Sequence, residues 1–153
     1  MYFWKINTLN EQLIKGSLEE AESFKYLMAN SILFALATIQ YEMPSQYDNW
    51  TVISTLIITI LGVLLAYKVN GGKKGKNIMQ RYMSVSFVVF IRLFVLLILP
   101  ATLILTLIQE FYFGMEYAQL VFFIETIIYT VIFSLVIAKH IRHIAIQSKQ
   151  VLD

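Results

Sequence analysis

The chain predicts an all-α integral membrane protein: a four-helix bundle with both termini in the cytoplasm and a short N-terminal interfacial helix. Three observations carry this expectation. Four long apolar runs, about residues 24–41, 50–67, 83–108 and 117–138, divide the sequence. Hydrophobic residues make up 58% of the chain and charged residues 14%, whereas soluble domains sit nearer half apolar and a quarter charged. The basic residues also alternate from one connecting segment to the next. Lys5, Lys15 and Lys25 precede the core of the first run, and Lys68, Lys73, Lys74, Lys76 and Arg81 lie between the second and third. Lys139, Arg142 and Lys149 follow the fourth. The loops 41–50 and 109–117 hold only the acids Glu42, Asp48, Glu110 and Glu116. Basic loops resist translocation, so this alternation places them on the cytoplasmic side.

At 153 residues the chain is one polytopic domain. Four spans of about 20 residues use roughly half of it, and no separate soluble domain fits. The formal net charge of +2 follows from the basic loops and does not call for nucleic acid. With no Cys, thiolate catalysis, disulfides and Cys-based metal sites are excluded. No cleavable signal is expected, because the apolar start at Met1–Trp4 is far shorter than an h-region; the first span then acts as a signal-anchor.

Residues 1–22 predict a cytoplasmic, interface-lying segment. Thr8 and Glu11 have the spacing of a capping box, in which the two side chains satisfy free backbone N–H groups. Gly16 suits the end of that helix. Ser17 and Glu20 form a second box, opening a helix over 18–41, with Glu19, Glu20 and Glu22 near the positive end of its dipole. Tyr2, Phe3 and Trp4 suit the headgroup layer. The first span is the shortest. Its apolar stretch, 26–41, is interrupted by Asn30 and covers about 24 Å at ~1.5 Å per residue. Lys25 extends it by snorkelling.

The second span is framed by Trp50 and Tyr67, as interfacial anchors are. Thr51, Thr55, Thr59, Gly62 and Ala66 recur at helical spacing and make one small-residue face, which permits close approach by another helix. Asn70-Gly71-Gly72 ends it, and the basic loop 68–81 follows. The third span holds Arg92 and Pro100. Proline removes a backbone donor, so a kink is expected near Leu96, whose carbonyl loses its partner. The fourth carries a second small and polar stripe: Thr126, Thr130, Ser134 and Ala138. A cytoplasmic tail, 139–153, completes the chain.

Arg92 and Glu125 are the formal charges deep inside the runs. An arginine there costs ~2.5–3.5 kcal/mol on insertion scales, so a partner or a function is expected. A short external loop makes the third and fourth spans neighbours, so Arg92 and Glu125 are expected to form an intramembrane charge pair, with Tyr129 one turn from Glu125 as a hydrogen-bond partner. Side-chain lean toward each helix N-terminus opposes that pairing in part. The alternatives are Arg92 snorkelling without a partner, a proton or ion site at Glu125, and a charge pair formed between subunits.

Lys68, Lys73, Lys74, Lys76 and Arg81 are expected to contact anionic lipid and, in the sharper reading, to dock an acidic cytosolic partner or a phosphorylated ligand. The run 71–76 does not match a phosphate-binding P-loop, and the loop lacks the aromatic groups that single-stranded nucleic acid stacks upon. His140 and His143 share a helix face, but no third ligand is near in sequence, and no metal or other cofactor is expected. Thr55, Thr59, Gly62, Thr126, Thr130 and Ser134 read as a helix-packing or pore face. Hydrolase, zinc-peptidase and kinase motifs are missing. The expectation is therefore a non-enzymatic, homo-oligomeric protein of a cell (inner) membrane, an anchor or sensor that engages a cytosolic partner through its basic face. The alternatives are an oligomeric channel or membrane-permeabilising effector, and a small proton-coupled carrier using Glu125.

Overall fold

The computed structural model describes residues 2–37, 47–108 and 114–150. Among these, all regular structure is helical. The elements are α1 (Ile6–Lys15), α2 (Glu20–Ala37), α3 (Asp48–Val69), α4 (Ile78–Leu93), α5 (Leu99–Ile108) and α6 (Gly114–Gln150). A 3₁₀ turn, Gly72–Lys74, lies between α3 and α4, and a π-helical segment, Phe94–Ile98, joins α4 to α5. Three stretches are long and apolar enough to cross a membrane: Asp48–Val69, Ile78–Ile108 and Gln119–Gln150. The outer end of the first predicted span (38–41), most of the loops 41–50 and 109–117 with Glu42, Glu110 and the side chain of Glu116, and the last three tail residues lie outside the described residues.

The helix ends follow local chemistry, with some departures from expectation. Gly16 closes α1 in the left-handed region, φ +64°, and both Gly16 and Ser17 donate their N–H to the Gln12 carbonyl. A glycine takes that conformation without a Cβ penalty. At the other end, α1 starts at Ile6, and Lys5 offers no side-chain cap, so Thr8 lies within the helix rather than at its boundary. Ile6 shares a buried face with Leu9 and Leu13, and burying it favours helix beyond the capping signal. The predicted second box does not form either: Ser17 turns back to α1, its Oγ donating to the Gln12 carbonyl at 3.4 Å and its N–H to the same oxygen.

In α4 helix begins at Ile78, five residues before the predicted span. The π segment is centred on Leu96, where the proline effect was expected, and the Leu99 N–H reaches back five residues to the Phe94 carbonyl. Residues 139–150 of the predicted tail do not form a separate element; they continue α6, which at 37 residues is about 55 Å long at ~1.5 Å per residue.

Contacts fix the direction of each helix. Gln80 of α4 meets Leu18 and Ser23, and Tyr26 and Asn30 of α2 meet Phe87 and Met83 further along. Hence α2 and α4 run in the same sense. Arg81 meets Ser148, Phe90 packs edge-on to Phe133, and Thr102 meets Glu125. Hence α4 and α5 run antiparallel to α6. The α3 helix packs along α6. Gly62 faces Ser134 so closely that a Cβ on Gly62 would lie 2.5 Å from Ser134 Oγ and 2.7 Å from its Cβ. The two small-residue stripes meet there, as backbones do where side chains are minimal.

The buried core is concentrated toward one end. Ile6, Leu9 and Leu13 of α1 cluster with Val85, Val88 and Val89 of α4 and Ile137, Ile141 and Ile144 of α6. Thus α1 is wedged against α4 and α6 as well as being amphipathic. Toward the other end the outer faces of α3 and α5, including Ile53, Leu56, Ile60, Leu103 and Ile104, are exposed and apolar. A water-soluble monomer rarely exposes such a continuous band, whereas lipid accommodates it.

Candidate functional site

The end of the bundle that holds the core also gathers the basic segments. A cavity of about 360 Å³ opens where the end of α1, the α3–α4 connection and the end of α6 meet. Lys15, Lys74, Lys76, Arg81 and Lys149 all line it, and no Asp or Glu does among the described residues. These five cations come from three segments separated by more than 50 residues at each step. Superposed like charges in a concave site produce a strong positive potential.

Arg81 forms the inner wall. Its residue is 5% exposed. One terminal guanidinium nitrogen donates to Asn70 Oδ1 at 2.8 Å and the other to Ser148 Oγ at 2.9 Å, while Nε has no partner. Both acceptors are neutral. Asn70 is itself 1% exposed. It sits at the C-terminal end of α3, and its Nδ2 donates to the Lys76 carbonyl at 3.2 Å. Gly75 presses against it: a Cβ there would fall 2.5 Å from Asn70 Nδ2 and from its carbonyl oxygen. Gly71, at φ +105°, makes the turn that brings the lysines back over this network, a backbone region open to glycine. The sequence therefore builds a rigid floor from Asn70, Arg81 and Ser148, with lysines around it.

Of the loop residues expected to bind lipid or a partner, Lys74 and Lys76 line this cavity, whereas Lys68 and Lys73 are exposed and do not. Arg81 is the departure: it is a buried group tying three helices together. Lys15, Lys149, Asn70 and Ser148 were not anticipated. Sequence offers no local signal for them, since they come from three distant segments, with Ser148 and Lys149 adjacent in α6, and only packing of α1 and α6 unites them.

The intramembrane charges are not brought together. Glu125 accepts hydrogen bonds from Tyr129 at 2.6 Å and Thr102 at 2.8 Å. Thr102 lies ten residues beyond Arg92, which is about 15 Å along a helix axis. Arg92 instead stacks over the Trp4 ring at 5.8 Å and is an electrostatic neighbour of His140. The expected Arg92–Glu125 pair is therefore replaced by two separate arrangements, because the charges sit at different heights. His140 pairs with Asn10 through Nδ1 at 3.0 Å, and His143 is exposed.

In the stripes, Thr55, Thr126 and Thr130 donate back to carbonyls of their own helix. Thr59 and Thr130 edge a second cavity of about 280 Å³, mostly apolar, beside the π segment. No protein-family model, no curated protein and no solved structure matches this chain.

Proposed function

We propose that this protein is a non-enzymatic membrane anchor or sensor that spans the bilayer four times, with both termini cytoplasmic, and engages an acidic cytosolic partner through its basic end. The observation that carries the reading is the convergence of the N-terminal segment, the α3–α4 connection and the end of α6 at one end of the bundle. Their basic residues lie apart in sequence, and the fold makes them one surface. The shared direction of α2 and α4 is what an additional crossing by the first apolar run requires. Electrostatic complementarity of such a face speeds encounter with an oppositely charged partner and disfavours like-charged ones.

Reporter fusions and cross-linking test this reading. Fusions after Lys74 and Asp153 are expected to read as cytosolic, and fusions after Trp50 and Tyr117 as external. A photo-reactive residue placed at Lys68 or Lys73 should yield a discrete protein adduct in cells. Charge reversal of the neighbouring lysine should abolish it. An external Asp153 reporter overturns the topology, and adducts to lipid alone overturn the partner.

A further inference from the structure

We propose that the recessed cavity between α1, the α3–α4 connection and α6 is a binding site for a phosphate-bearing anion. The claim goes beyond partner docking, since it concerns the groups turned into the cavity and not the outward Lys68 and Lys73. Arg81 is the central observation. A guanidinium stays charged at any ordinary pH, and a buried charge needs a counter-charge or a full set of hydrogen bonds. Among the described residues Arg81 has two neutral acceptors, no carboxylate, and an unpartnered Nε. The group has five N–H donors; Nε is sealed off from solvent, so the donors left for a further acceptor are the second N–H groups of the two terminal nitrogens.

The surroundings select the chemistry of that acceptor. Lys15, Lys74, Lys76 and Lys149 share the cavity with Arg81, and a single carboxylate would leave most of this charge unmatched. A phosphoryl group offers several oxygens to one guanidinium and more than one ammonium. Arg–phosphate contacts are among the stronger charge-assisted hydrogen bonds. At about 360 Å³ the cavity lies within the range of ordinary small-ligand sites, roughly 300–1,000 Å³. Its rigid floor of Asn70 and Ser148 holds Arg81 in place before a ligand arrives. The shared chemistry fits both a soluble phosphate compound and the headgroup of an anionic phospholipid.

Full-length protein in phosphatidylcholine nanodiscs, titrated with inorganic pyrophosphate, tests the soluble source. Calorimetry should show saturable binding, and the unfolding temperature should rise with ligand concentration, as expected for a ligand of the folded state. The double variant Lys74→Gln with Lys76→Gln should raise Kd at least about tenfold, equivalent to ~1.4 kcal/mol. Lys68→Gln with Lys73→Gln should change it by less than about twofold, since charges outside the cavity act only through screened, longer-range fields. Arg81→Lys keeps the charge and loses the forked donors, so it should weaken binding in a folded protein. The second arm omits pyrophosphate and adds phosphatidylglycerol to the nanodisc. Stabilisation seen only there, and lost in the Lys74/Lys76 variant, assigns the phosphate to a lipid headgroup. Absence of an effect in both arms, or equal losses from both lysine pairs, overturns the proposal. These measurements use purified protein without a partner, so their failure leaves the cross-linking result at Lys68 and Lys73 standing, and the reverse also holds.

Discussion

Gly62→Ala probes the closest approach in the bundle. The new methyl carbon would stand 2.7 Å from Ser134 Cβ and 2.5 Å from Ser134 Oγ. Carbon atoms pack at about 3.5–4.0 Å, so α3 and α6 must separate locally by about 1 Å. A rotamer change at Ser134 moves Oγ but leaves Cβ fixed to the backbone, so no side-chain rearrangement relieves the contact. Overpacking costs ~1–3 kcal/mol, and this site belongs at the upper end. Replacing a helical glycine with alanine returns about 1 kcal/mol of helix propensity. The expected net loss is therefore about 2 kcal/mol. Reversible denaturant unfolding in mixed micelles, followed by circular dichroism, reads it as a lower midpoint. The pattern of rescue is the sharper check. Ser134→Gly removes both offending atoms and should restore the midpoint in the double variant. Ser134→Ala removes only the hydroxyl and should leave most of the loss. A Gly62→Ala protein as stable as the parent, or equal rescue by both changes at Ser134, would refute the reasoning.

Three further outcomes follow from other contacts. Arg92→Leu and Glu125→Gln should be additive in a double-mutant cycle to within ~0.3–0.5 kcal/mol, as distant sites are; a larger coupling would place the two charges together after all. Trp4→Ala and Arg92→Leu should instead couple by ~0.5–1 kcal/mol or more, the range of a cation–π contact, and an additive result would remove Trp4 as the partner. Leu9→Ala, at a fully buried position, should cost ~2–5 kcal/mol locally and release α1, read as faster amide exchange across Ile6–Lys15; unchanged exchange would show that α1 is not held by its apolar face.

Helical content and several stops were legible because their causes are local. Gly16 ends α1 in a backbone region that favours glycine, and Asn70-Gly71-Gly72 ends α3. The disturbance near Leu96 follows from the missing N–H of Pro100, whatever surrounds it. The helix starts were less legible. A capping box at Thr8 is worth about 1 kcal/mol, and burying Ile6 beside Leu9 and Leu13 is worth more than that. The continuation of α6 through 139–150 was hidden for a related reason: Ile141 and Ile144 read as a weak amphipathic tail until α1 supplies the surface they bury against.

By itself the sequence determined that the chain is helical, that it carries apolar stretches long enough to suit a membrane, and that positive charge belongs to alternate segments. These are properties of composition and order, set by the solvation of side chains one at a time. Only the tertiary structure decided which charges meet. Arg92 and Glu125 stand alone in apolar runs and invite pairing, but the antiparallel packing of α4 and α5 on α6 sets them about 15 Å apart along the axis, with Trp4 and Tyr129 as their partners. Arg81 reads as one more loop cation, yet it is buried on Asn70 and Ser148 beneath four lysines from three segments. Depth and partnership depend on helix register and on the docking of α1, and both arise from contacts between residues far apart in the chain.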